Sequence, residues 1–260
     1  MPYTDEDVVE IMNRRDEWLE RESALTRDLF RLQLESEQAR EMMKHGVCRR
    51  ISDLKHGLAR VFEIIPLQDA DPSRDAIWDA TAFLQAFVIN VFGTMDNLAW
   101  LWRLEADVRG RNGQPLPRNR IGLTPDNADL RASLSARTQA YLAGTDAWFD
   151  YLEGYRHALA HRIPLYILPK QLNDDEAAEF ARLEGQVGAP AWDWDQWGAV
   201  LAAQRRLGVF EPVMMHSFGE GAHPVRFHGQ MVCDFSTVIA VAEHVVGGIQ
   251  TRHGAGALPA

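Results

Sequence analysis

Arg156, His157 and His161 fall within one short run, RHALAH, inside the stretch 145–169 that reads TDAWFDYLEGYRHALAHRIPLYILP. An imidazole titrates near neutrality and can take or return a proton at pH 7. A guanidinium keeps its charge and offers a planar fork of donors to phosphoryl or carboxyl oxygens. Side by side, these groups suit proton transfer at an ester whose negative charge grows during reaction, with no metal needed. His157 and His161 also stand four apart, the spacing of a two-histidine metal face. With no glutamate at 158 the HExxH reading fails. A metal-dependent hydrolase would need a third ligand from His216, His223, His228 or His244.

The elements around these residues must deliver them to one place. Trp148, Leu152, Tyr155 and Leu159 recur at helical steps, so 145–161 reads as an amphipathic helix capped at Thr145 and stopped by Pro164. Upstream, Ser73 caps a long helix running to about Glu105. Its window 83–102 is apolar on nearly every face, and Asn90, Gly93, Thr94 and Asn97 share one narrow polar strip. Gln85, Asn90, Asp96 and Asn97 make this window a core helix of a bundle rather than a membrane span.

The N-terminal region reads as charged helix from the capping box at Thr4–Asp7 to about His45, interrupted at Gly46 and resumed over 49–65. Further helices are expected over 129–143, from Asn173 to about Gln186, over 192–207 and over 229–250. A β-hairpin is expected within 209–228, around Gly219-Glu220-Gly221, and the tail 254–260 should fray. The whole reads as one all-α domain over 1–253, a bundle of about seven helices. Within it, 1–66 is an N-terminal helical region. The clustered Trp192, Trp194 and Trp197 read as satellite core.

The run Arg156-His157-Ala158-Leu159-Ala160-His161, followed by a helix break, resembles the signature of the HEPN superfamily: an arginine, a polar residue, then a histidine four to six positions after the arginine. The resemblance spans 73–169 and extends to the last helix, so that 73–169 with 229–250 would be the HEPN-like core. It implies a helical bundle, a homodimer, and in many members a metal-independent endoribonuclease of toxin or defence type. By that likeness His161 would be the acid/base, Arg156 the phosphate stabiliser and His157 a supporting polar group. RNA and an antitoxin or regulatory protein would be partners, and no cofactor is implied. A catalytically inert HEPN-like module that binds a partner or nucleotide is the alternative. Arg40 with His45, and Arg49 or Arg50 with His56, also satisfy the spacing; the polar second residue, the helix end and the long apolar helix upstream favour Arg156.

A net charge of −10 argues against a surface that coats nucleic acid nonspecifically. The basic exception is the loop 108–127, whose Arg109, Arg111, Arg118 and Arg120 would make an anion- or RNA-contacting arm. Cys48 and Cys233 lie far apart without ligand spacing and read as two buried thiols. The acidic start MPYTDEDVVE carries no leader pattern, so a cytoplasmic protein without membrane attachment is the expectation. No P-loop, no GxGxxG after a strand and no GxSxG occurs, which leaves nucleotide-dependent and α/β-hydrolase chemistries unsupported.

Overall fold

One long apolar stretch sets the centre of the bundle. In the computed structural model, which describes residues 2–110, 112–186, 193–217 and 223–255, this stretch is α4 (Arg74–Glu105), started by Ser73, whose hydroxyl accepts the Ala76 N–H. Leu84, Phe87, Val88, Val91, Leu98, Leu101 and Trp102 on this helix are buried. The helix stops at Asp107, held at a left-handed φ of 45°. There the Val108 N–H donates to the Arg103 carbonyl at 3.1 Å, a Schellman-type closure.

Before it come α1 (Asp5–Arg31), α2 (Glu37–Glu41), a π-helical segment (Met42–Val47) and α3 (Cys48–Ile64). The Thr4 capping box forms as expected. Two expectations fail here. The first helix does not continue to His45: Leu32 turns extended, Ser36 caps α2, and the Glu35 N–H donates to the Glu105 carboxylate at 2.8 Å. Burial of both Leu32 and Leu34 demands that extended step, since a helix would carry them to different faces. Nor does Gly46 interrupt. It lies inside the π segment, which joins α2 to α3 without a break.

After α4 come α5 (Ala128–Ser133) and α6 (Ala136–Ala143), two helices where one was expected, because Ser135 caps a new start by accepting from Thr138. Then follow α7 (Asp146–His161), α8 (Asp174–Glu184), α9 (Trp194–Gln204) and α10 (Phe227–Ala255). Thr145 does not cap α7; its hydroxyl donates to the Leu142 carbonyl instead. The Asn173–Glu176 capping box starts α8 as read. The last helix extends past the expected 250 as far as Ala255, so the tail is helical at 254–255 and lies beyond that outside the described residues.

The fold is an all-α bundle with one small antiparallel sheet, in the order β1 (Tyr166–Ile167), β2 (Val213–Met215), β3 (Val225–Arg226). The β2–β3 pairing is the expected hairpin, with Met214 opposite Val225; its Gly219–Gly221 turn lies outside the described residues. The segment after Pro164 supplies β1, with Tyr166 opposite Met215. One continuous core runs from Tyr3 through α1, α3, α4 and α7 to Ile249 of α10. Met231, Phe235, Val238, Ile239 and Val245 all face inward. Both cysteines are free, Cys48 half-buried and Cys233 exposed, so the pair of buried thiols is not found; position 233 falls on the outward side of α10, beside the buried Asp234. Among the described residues two helices, α4 and α10, are long and apolar enough to cross a membrane by length and composition alone. Of those windows 28% and 67% are buried within the fold, so α4 leaves much more apolar surface uncovered.

Candidate functional site

Arg156 leaves α7 toward α4. Its guanidinium lies 4.2 Å from the centre of the Phe92 ring, a cation–π contact on a half-buried side chain. One turn along α4 from Phe92 stands Asp96. Burial pushes its carboxyl above the usual range, and the positive charges of Arg156 and Arg50 pull it back. Arg50, from α3, donates to the Asn90 side-chain oxygen at 2.8 Å. Its guanidinium occupies the space a side chain at Gly93 would need, and Gly46 is likewise filled by the Asn97 amide. The polar strip read on α4 is therefore real. It is a groove of small and amide residues that lets the π segment and α3 approach and seats Arg50 beside Asp96.

The two histidines are placed differently. His157, half-buried, lies 3.6 Å from Glu153 one turn earlier. His161 is exposed at the last helical residue and makes no hydrogen bond or ion pair with the described residues. On a regular helix positions 156 and 161 point roughly 140° apart, whereas 157 and 161 diverge by only about 40°. Within one chain, then, Arg156 and His161 do not share a face. The end of α7 is nonetheless well fixed. Gln85 of α4 donates to the Leu165 carbonyl at 2.8 Å, and β1 follows at once.

The opposite side of α7 is pinned by buried polar groups. Trp148 donates to Asp234 of α10 at 2.8 Å, and Gln230 donates to the same oxygen at 2.7 Å. Burial raises the Asp234 carboxyl to about 6 despite those donors. Tyr155 packs edge-on to His216 at 4.9 Å and against Tyr151 at 4.8 Å. Burial pushes the Tyr155 hydroxyl up to about 12. The two tyrosine hydroxyls perturb one another without meeting hydrogen-bond geometry.

The loop arginines are not gathered at this site. Arg109 is held by Asp107 at 2.8 Å and donates to the Gly113 carbonyl at 3.2 Å. Arg120 stands 3.9 Å from Asp129, Arg118 is exposed on a single 3-10 turn, and Arg111 lies outside the described residues. Arg40 spends its donors on the Leu34 and Glu35 carbonyls, which gives that alternative arginine a structural task. No three His, Cys, Asp or Glu side chains gather as a metal site among the described residues. His228 is committed to the Ile65 carbonyl and His244 to the Tyr141 ring.

Sequence reading missed Arg50, Phe92 and Asp96 as neighbours of Arg156. Arg50 carried a trace of signal through its spacing to His56, and the glycine beside Asn90 marked where a side chain from another helix would lie. Comparison with protein-family models, curated proteins and solved structures finds no match for the chain.

Proposed function

We propose that the chain is a HEPN-like, metal-independent endoribonuclease whose active surface forms between two copies of the α4–α7 face. The observation that carries this reading is the seating of Arg156 on Phe92 beside the half-buried Asp96, with Arg50 tied to Asn90 on the same face. A guanidinium so held is preorganised to meet phosphate charge as it develops. His161, exposed and unengaged among the described residues, is free to reach a substrate or a second protomer. Because Arg156 and His161 diverge around α7, the working pair joins Arg156 of one protomer to His161 of its partner across a two-fold axis. The surface that such pairing would cover includes Ile89, 42% exposed on α4.

In the proposed reaction His161 takes the proton of the ribose 2′-hydroxyl. The resulting oxygen attacks phosphorus, and Arg156 receives the growing charge on the nonbridging oxygens. The 5′-oxygen leaves with a proton from an imidazolium, giving a 2′,3′-cyclic phosphate and a 5′-hydroxyl end. His157 supports His161 on the same helix face. A cytoplasmic toxin or defence protein held by an antitoxin or regulatory partner is the corresponding biological role.

The test is cleavage of mixed RNA by purified protein in EDTA. Arg156→Ala and His161→Ala should each lose about 10²–10³ in rate. Mixing the two variants should restore about one quarter of wild-type activity, since half the dimers carry one intact site. Cleavage surviving in both variants removes the site from consideration. EDTA-sensitive cleavage promotes a metal-dependent hydrolase instead. The second reading is a catalytically inert HEPN-like module. It draws on the fact that Arg156 already has a structural role, balancing Asp96 and covering Phe92; protein that dimerises through α4 but leaves RNA intact supports it.

A further inference from the structure

A cavity lies away from Arg156, His157 and His161, none of which lines it. The end of α4, the α5–α6 junction, α6, α10 and the middle of α1 enclose an open cleft of about 700 Å³, within the size range of small-molecule sites. Arg21 and Glu243 at its rim are paired with each other, and the Arg21 guanidinium also covers the Trp18 ring at 3.8 Å. Arg137 and Arg252 line the same cleft and have no acidic partner among the described residues. In a chain of net charge −10 this leaves a local surplus of positive charge. The Tyr141 and His244 rings lie 4.7 Å apart at a tilt of 30°, a tilted stack that lines one side of the cleft. Burial, and then the Arg137 charge, lower the proton affinity of His244.

Two successive helical glycines floor the cleft, and they differ. A Cβ at Gly248 would press on the Trp102 ring at 3.0 Å, so packing accounts for that glycine. At Gly247 an added Cβ would meet nothing within 4 Å, although a glycine in a helix interior costs about 1 kcal/mol relative to alanine. Its absent side chain leaves room in the cleft.

We propose that this cleft binds a small planar aromatic anion, with its ring against the Tyr141–His244 stack over Gly247 and its anionic group between Arg137 and Arg252. Nucleoside monophosphates and aromatic carboxylates share that chemistry. The test is calorimetric titration of the full chain with AMP, UMP, indole-3-carboxylate, adenosine and inorganic phosphate. At least one aromatic anion should bind with Kd below about 1 mM and at least tenfold more tightly than adenosine or phosphate. Preference for the nucleotides identifies a phosphate ester as the natural source, and preference for indole-3-carboxylate identifies a carboxylate. The Arg137→Ala/Arg252→Ala double variant should bind at least tenfold more weakly. Gly247→Leu should block binding while leaving the melting temperature unchanged or raised. Arg156→Ala should bind normally, which keeps this outcome separate from that of the RNA-cleavage reading. The proposal is overturned if none of the aromatic anions binds, if phosphate alone binds as well as AMP, or if binding survives both cleft variants.

Discussion

Two buried ionisable side chains set opposite acid responses. His228 is fully enclosed, its Nε2–H donating to the Ile65 carbonyl at 2.7 Å, and burial lowers its imidazole to about 4. Above the unfolded value of 6.5 the histidine is neutral in both states. As pH falls from 6.5 to 4 only the unfolded chain gains the proton, so stability is lost over that window, by about 3 kcal/mol in total. Asp234 behaves conversely. Its carboxyl, raised from 3.8 to about 6, favours the folded state when protonated, so its contribution is present below 3.8 and lost as pH rises through 6. The two effects nearly cancel between pH 4 and 6. Asp234→Asn should unmask the histidine. Urea midpoints at pH 7.5 and 4.5 should fall much further apart than in the wild type, by the equivalent of about 2–3 kcal/mol, and equal pH slopes in the two proteins would refute the assignment. At this scale the sequence was least informative. His228 appeared only as one of several spare histidines, since neither burial nor its carbonyl partner, 163 residues earlier in the chain, leaves a local trace.

Among the elements, those with strong local signals were legible. The caps at Thr4, Ser73 and Asn173, the apolar α4 and the Pro164 stop all predict what forms, because each acts over a few residues. What was lost depends on distant partners. The extended step at Leu32 is held by Glu105, about 70 residues away, and the π segment packs Gly46 closely against the Asn97 amide. The π segment sets the angular register of α3 and so aims Arg50 at Asn90 and Asp96, consistent with the frequent use of such segments near functional sites. Gly93→Ala tests that dependence. The new methyl would displace only the mobile end of Arg50, so the helix should keep its stability or gain up to about 1 kcal/mol. RNA cleavage, if it depends on that guanidinium, should drop at least tenfold in the same variant. A clear loss in melting temperature would show that the groove admits no methyl and that the glycine serves packing alone.

For the molecule as a whole, the all-α architecture and the small hairpin could be read in advance, because period and turn chemistry carry them. The pairing of Arg156 with α4, and the separation of the loop arginines from it, could not, since both rest on how helices cross. One buried carboxylate ties together three distant segments. The Glu105 carboxylate, with only 1% of its side chain exposed, accepts the Glu35 N–H and meets His253 of α10 at 3.0 Å. Glu105→Ala should cost about 1–3 kcal/mol in chemical denaturation by leaving the Glu35 donor and the His253 ring without that acceptor. Because the same carboxylate receives a backbone group from the α1–α2 joint and a side chain from near the last helical turn, that joint and the end of α10 are mechanically coupled. A chain shortened to end at Thr251 should therefore become more easily cleaved by protease near residues 32–36, while a tag added after Ala260 leaves that joint as resistant as before.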